Sequence, residues 1–157
     1  MKACKWIVLL VLLICLCACG TAGEREEAFV FTYHGVEIMP GGDAAKVIAG
    51  LGEAKSITEE PSCAFQGMDR TYCYGSFYFT TIPGENGEII SSVWFADDTV
   101  ITGEGLRVGS TRQEVEAVFG SGCIQGASCT VIRGKTRLTL GVEDEMVNVI
   151  RYDALIE

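Results

Sequence analysis

Residues 105–120 of this 157-residue chain read GLRVGSTRQEVEAVFG. This stretch predicts a short apolar strand, a turn and a helix, with a glycine at each end, and this order of elements decides the predicted fold. Residues 35–52, GVEIMPGGDAAKVIAGLG, have the same order. The ends of the two units also match, since residues 90–95 read ISSVWF and residues 147–152 read VNVIRY. Self-similarity of this kind predicts a tandem repeat, in which the second copy has shorter middle loops.

The helices of both units have recognisable starts. Ser110 with Gln113, or Thr111 with Glu114, can form a capping box in the second unit, and Asp43 can cap the first helix. The apolar positions that follow are Val47, Ile48, Leu51, Val115, Val118 and Phe119. Helices of two to three turns are too short to be stable alone, so we expect them to pack on a sheet.

Runs rich in β-branched and aromatic residues follow each helix and predict that sheet. The predicted strands are residues 64–66, 70–74, 77–81, 89–95, 130–133, 136–140 and 147–152, with 29–33 as an edge strand. The predicted fold class is therefore α+β: a tandem repeat of a short helical segment packed on an antiparallel β-sheet. The first repeat spans residues 28–104 and the second spans residues 105–157.

The N-terminus has the features of an export signal. Lys2 and Lys5 precede the apolar run 6–16, whose eleven residues reach about 16 Å as a helix. That length falls short of the roughly 30 Å hydrocarbon core of a bilayer, which favours a signal peptide over a membrane-spanning helix.

Residues 16–20, LCACG, resemble a bacterial lipobox. The resemblance implies cleavage after Ala18 and a diacylglyceryl lipid on Cys19, which anchors the protein on the extracytoplasmic face of the cell membrane. The alternative is an ordinary secretory signal whose cysteines are apolar filler. We expect residues 1–18 to be the lipoprotein signal peptide and residues 19–27 to be the lipidated cysteine and a polar tether.

The net charge of the exported chain argues against nucleic-acid binding. The whole chain has 12 basic and 21 acidic side chains, a net charge of −9. Removing residues 1–18 removes two lysines and leaves 10 basic against 21 acidic side chains, a net charge of −11. Binding to a phosphate backbone requires a basic surface, so we expect no nucleic-acid partner.

Four cysteines remain beyond Cys19. Because each local pair brackets the first hairpin of its unit, we predict the disulfides Cys63–Cys73 and Cys123–Cys129. Export makes such bonds possible. Free thiols are the alternative, while a zinc site is disfavoured because no Cys-x-x-Cys spacing occurs.

The sequence contains few candidates for catalysis. His34 lies at a strand boundary with no nucleophile or acid partner nearby in the sequence. The acidic runs at 97–98 and 143–145 lack calcium-loop spacing. The sequence contains no G-x-S-x-G, P-loop, H-E-x-x-H or Rossmann glycine pattern. We therefore expect a non-enzyme without a cofactor or metal, and the alternative is an enzyme with an unrecognised carboxylate site at Asp69 or Asp97.

The sheet face away from the helices is the predicted binding surface. Strand alternation assigns one set of side chains to the core: Phe77, Phe79, Val93, Phe95, Leu138, Leu140, Ile150 and Tyr152. The opposite face then holds Tyr78, Trp94, Arg137 and Arg151, which are residue types that dominate binding energy in interfaces. These rings and guanidinium groups either bind a partner or simply cover the sheet.

Two resemblances extend this interpretation. Residues 61–74, PSCAFQGMDRTYCY, together with 97–98, 102–105 and 109–111, resemble a family of uncharacterised lipoproteins from low-GC Gram-positive bacteria. This resemblance implies a lipoprotein without an assigned activity. Two helix-then-sheet units, each with a cysteine pair, resemble the tandem repeats of the β-lactamase inhibitor protein family, and residues 109–115 are similar to its helix-opening segment. That resemblance implies a protein-binding module.

Three functions follow as expectations. The first is a membrane-anchored lipoprotein that binds a protein or peptide through the open face of its sheet. The second is an inhibitor of a secreted hydrolase, such as a β-lactamase or a cell-wall enzyme. The third is the carboxylate enzyme already described.

Overall fold

A computed structural model describes residues 28–156 of the chain. The predicted signal peptide, Cys19 and the tether lie outside the described residues. The elements in chain order are β1 (Phe31–Tyr33), β2 (Val36–Ile38), α1 (Ala44–Leu51), β3 (Ser56–Pro61), β4 (Met68–Cys73), β5 (Phe77–Gly84), β6 (Gly87–Phe95), α2 (Arg112–Phe119), β7 (Ile124–Gln125), β8 (Ser128–Arg133), β9 (Thr136–Glu143) and β10 (Met146–Ala154).

One antiparallel sheet of eight strands forms the body of the protein, in the order β3-β4-β5-β6-β10-β9-β8-β7. The strands β3 to β6 follow one another directly, as do β7 to β10. The central strands β6 and β10 join the two sets through three residue pairs, Trp94 with Arg151, Val93 with Tyr152 and Ser92 with Asp153. The strands β1 and β2 form a separate hairpin.

The hydrophobic core lies on one face of this sheet. All eight side chains that strand alternation assigned to the core are buried, which confirms that prediction. Phe31 of β1 closes the core from outside the sheet: its ring centroid lies 5.3 Å from that of Phe77 and 5.1 Å from that of Phe95. Aromatic contacts at these distances combine a large buried area with a defined geometry.

The predicted α+β tandem repeat of helices packed on a sheet is wrong. A single continuous sheet runs through both predicted segments, 28–104 and 105–157, and the protein is mainly β. Each helix has eight residues, and the helices contribute only Ala44, Val47 and Val115 to the buried core. The remainder of the core comes from the long strands, from Phe29, from Phe31 and Ile38 of the β1–β2 hairpin, and from the loop after β6, so no helical layer forms.

The helix starts are confirmed in detail. The Asp43 side chain accepts a hydrogen bond from the backbone N–H of Ala45, and Thr111 with Glu114 forms the capping box of α2. Ser110 instead accepts a hydrogen bond from the backbone N–H of Arg107. Val118, expected on the apolar face of α2, is exposed.

The cysteine prediction is half right. Cys123 and Cys129 form a disulfide that links the segment before β7 to β8. Cys63 and Cys73 are free thiols, and the predicted bond between them is wrong. Cys63 lies in the β3–β4 turn, whereas Cys73 is at the other end of β4, opposite Ser56. The five steps of strand between Met68 and Cys73 span about 16 Å, while a disulfide needs Cα atoms within about 7 Å.

Candidate binding surface on the open sheet face

The sheet face opposite the core has partly exposed side chains, and we call it the open face. One row crosses six strands of this face, because register places its members directly opposite one another: Cys73, Tyr78, Trp94, Arg151, Thr139 and Thr130. Both helices and the β1–β2 hairpin contribute their buried side chains to the other face. The row is therefore the central feature of the accessible face.

Tyr78 and Trp94 form the aromatic part of the row. Their rings are stacked, with centroids 5.7 Å apart and planes inclined by 20°. Both side chains are half-buried. Hydrogen bonding and charge interaction with the Cys73 sulfur raise the pKa of the Tyr78 hydroxyl. The pair offers a flat, rigid surface of low conformational entropy.

Arg151 and Arg137 share one carboxylate, that of Asp153. Arg151 Nε donates to Asp153 Oδ1 over 2.7 Å, and Arg137 Nη2 donates to Asp153 Oδ2 over 3.3 Å. The carboxylate side chain is 11% exposed, whereas the guanidinium side chains are 53% and 43% exposed. The guanidinium groups are therefore accessible to a ligand, whereas the carboxylate between them is mostly buried.

A notch interrupts the open face beside Trp94. The strand β10 begins at Met146, but its pairing with β6 begins only at Arg151, which lies opposite Trp94 near the end of β6. The first part of β10 therefore extends past the end of β6 without a partner on that side. The resulting cavity has a volume of about 320 Å³. Its lining comprises Trp94, Phe95, Asn148, Val149, Ile150 and Arg151. Val149 is 45% exposed and makes the wall of the notch opposite the tryptophan apolar.

Hydroxyl groups occupy the neighbouring row. Thr71, Thr80 and Ser92 lie opposite one another on β4, β5 and β6, and Asp153 continues that row on β10. The Thr80 hydroxyl lies 2.7 Å from the Ser92 hydroxyl and 2.8 Å from the Ser91 hydroxyl. Ser92 is buried, so the partly exposed Thr71 and Thr80 are the members of these three that can exchange hydrogen bonds with a polar ligand.

Strand alternation in the sequence predicted that four residues of this surface share one face, and the structure adds two more residues to it. Tyr78, Trp94 and Arg151 fall in one row, and Arg137 lies in the next row, opposite Asp153. Sequence reasoning missed Asp153 and Val149. Both lie two residues from Arg151, so the alternation that assigned Arg151 to the open face also places them there.

The predicted carboxylate candidates do not assemble into a site. Hydrogen bonds from the side chain and backbone of Thr99 lower the pKa of Asp97, which is the pattern of a turn residue. Asp69 lies opposite Glu60, near the other end of the sheet. His34 is exposed in the β1–β2 turn. Within residues 28–156, no cluster of three or more histidine, cysteine or acidic side chains could hold a metal ion.

Comparisons with known proteins show little likeness. No family model matches the chain, and no curated protein matches it. A search of solved structures finds an extracellular protein containing an SCP domain from Bacillus anthracis, at 15% identity and a TM-score of 0.44. That alignment covers 73% of this chain, and this chain spans 44% of the other protein's length.

Two findings bear on location. The Cys123–Cys129 disulfide agrees with the extracytoplasmic location that the export signal predicts, because disulfides persist in oxidising compartments. None of the helices in the described part of the chain is both long and apolar enough to cross a membrane.

Proposed function

We propose that this protein is a non-catalytic, membrane-anchored lipoprotein that binds a protein or peptide partner through the open face of its sheet. The proposed anchor is the lipid on Cys19, supported by the LCACG sequence and by the polar tether up to residue 27. Membership of the uncharacterised lipoprotein family that residues 61–74 resemble is part of the same proposal.

The stacked Tyr78–Trp94 pair beside Arg151 is the observation that carries the proposal. A sheet face that only covers a core and meets water favours small polar side chains. Here two large aromatic rings lie half-exposed next to a guanidinium group with free donors. Tyrosine, tryptophan and arginine are the residue types enriched among interface hot spots.

Site-specific photo-cross-linking on living cells tests this function. A photoreactive amino acid in place of Thr139, in the same row as Trp94, is expected to capture a discrete partner. The matched control places the same amino acid at Gln113, an exposed position on α2. The cross-linked product should require position 139 and should disappear when Trp94→Ala is combined with Arg151→Ala.

Two results would contradict the proposal. One is an identical set of products from positions 139 and 113. The other is a product at position 139 that persists in the Trp94→Ala, Arg151→Ala variant. If the captured partner is a secreted hydrolase, an activity assay with the purified pair decides whether binding inhibits it. Mass spectrometry of the membrane-extracted protein tests the lipid on Cys19, which adds the diacylglyceryl mass to that residue.

A further inference from the structure

We propose that the notch beside Trp94 receives an apolar side chain of an extended peptide segment in the partner, while Arg151 and Arg137 bind an acidic side chain next to it. This inference rests on the proposed function and adds the chemistry of the partner. The ligand is thus an acidic peptide in which a carboxylate neighbours a leucine-sized or aromatic residue.

The notch has the size and the lining for such a side chain. Its volume of about 320 Å³ is at the lower end of the roughly 300–1,000 Å³ found for small-molecule sites. The Trp94 ring and the exposed Val149 side chain supply apolar walls, and the polar Asn148 and Arg151 lie beside them, whereas the Ile150 side chain is buried in the core on the other face. Asn148 is held by a hydrogen bond to Glu143, with Nδ2 2.8 Å from Oε2.

Charge on the open face favours an anionic group. Within residues 28–156, Arg151 contacts Asp153 through Nε, which leaves both of its terminal nitrogens free to donate. Arg137, Arg151 and Asp153 together carry a charge of +1, in a chain whose net charge is −9. The Glu143 carboxylate, which accepts from Asn148, adds a negative charge at the Asn148 side of the notch, so the cationic part of the surface is the arginine side. A guanidinium group binds a carboxylate through two parallel hydrogen bonds, so the free edge of Arg151 matches that ligand in shape as well as charge.

A peptide fits these observations better than an anionic lipid surface. An acyl chain needs a long apolar channel, whereas the notch is lined by only six residues of β6 and β10. The exported chain has a net charge of −11, which an anionic bilayer repels. The partly exposed hydroxyl groups of Thr71 and Thr80 can also exchange hydrogen bonds with a peptide backbone.

Trp94 provides the measurement. Trp6 and Trp94 are the two tryptophans of the chain, so removal of the signal peptide leaves Trp94 as the single reporter. The probe is a pool of end-blocked peptides without tryptophan, in which one Glu follows Leu, Ile, Val, Phe or Met. The matched pool has Gln in place of Glu. Both are titrated into the chain beginning at Gly20, which retains every residue that the structure describes.

The Glu pool is expected to change Trp94 emission, and the Gln pool to bind at least about tenfold more weakly, a loss typical of one charge-assisted contact. Arg151→Gln should weaken binding of the Glu pool by about the same factor. Arg107→Gln is the matched control, since Arg107 is exposed in the loop after β6, and it should bind like the unchanged chain. Unaltered circular dichroism shows that each variant is folded.

Several outcomes overturn the inference. Equal binding of the Glu and Gln pools would show that the ligand does not require an acidic side chain. If Trp94 emission is unchanged at about 1 mM of the Glu pool, the notch does not bind a peptide of this kind. Emission that responds to phosphatidylglycerol vesicles and not to peptides assigns the surface to a membrane. In each case, a cross-link from position 139 that depends on Trp94 would still support the proposed function. The peptide inference can therefore be wrong while the proposed binding function stands.

Discussion

Glu104 is a largely buried acidic residue in the loop between β6 and α2. Its side chain is 12% exposed, and Oε1 accepts a hydrogen bond from Arg133 Nη1 over 2.8 Å. The other oxygen, Oε2, is buried and has no hydrogen-bond partner in the described chain. The Arg133 guanidinium also lies 4.5 Å from the centroid of the Phe29 ring. Arg133 therefore neutralises the buried Glu104 carboxylate, and its contact with Phe29 packs the segment before β1 against β8.

Replacing Arg133 should be costly for this reason. We expect Arg133→Gln to lower the free energy of unfolding by about 2 kcal/mol, because the Glu104 carboxylate is left buried without its counter-charge. Urea unfolding followed by Trp94 fluorescence measures the change. Arg112→Gln is the control: Arg112 pairs with Glu145, which is 73% exposed, and loss of such a surface pair should cost less than about 1 kcal/mol. Equal losses in both variants would contradict this interpretation.

At the scale of elements, the strands were more predictable than the connections. The predicted runs at 77–81, 89–95, 130–133, 136–140 and 147–152 fall within β5, β6, β8, β9 and β10. The predicted strand at 64–66 is a turn. The edge strand β3 was missed because its sequence SITEEP, fully exposed, has no buried alternation to detect. Its glutamates and proline suit an edge that must avoid pairing with other sheets.

The disulfide is a second stabilising feature at this scale. We expect the double variant Cys123→Ala, Cys129→Ala to lose about 2 kcal/mol of unfolding free energy, as expected for a short closed loop. Thiol titration of the denatured chain from Gly20 should find two reactive groups, Cys63 and Cys73, before reduction and four after it. A count of zero before reduction would show that Cys63 and Cys73 are paired after all. The matched control, Cys63→Ala, should leave stability nearly unchanged because Cys63 is exposed.

The whole molecule depends on contacts between its two chain segments. Only three residue pairs join β6 to β10, yet the Tyr152 ring from β10 lies 5.8 Å from Phe29, 6.2 Å from Phe31 and 6.0 Å from Phe95, measured between centroids. The Tyr152 side chain is buried, and this burial raises the pKa of its hydroxyl. The first segment therefore supplies half of a core that the second segment completes.

It follows that the segments 28–104 and 105–157 should not fold separately. The complete chain is expected to unfold in one transition, with coincident midpoints from Trp94 fluorescence and from far-UV circular dichroism. The isolated segment 28–104 should remain unfolded, because Phe31 and Phe95 lose the Tyr152 ring that buries them. Dispersed amide resonances from that isolated segment would show two independent domains instead.

The sequence by itself determined which side chains of each strand are buried and which lie on the open face. Alternation along a strand is a local property, so Phe77 and Tyr78, or Ile150 and Arg151, could be assigned to opposite faces without knowledge of neighbours. The helix caps at Asp43 and Thr111 were predictable for the same reason, since a cap involves residues within one turn.

Only the tertiary structure decided which strands are neighbours. The pairing of β6 with β10 merges two predicted units into one sheet, and it aligns Tyr78, Trp94 and Arg151 in a single row. It also creates the notch beside Trp94. These are contacts between residues distant in the chain, and they depend on how all the buried faces pack together. No local pattern of the sequence contains that information, whereas burial of one shared core imposes it.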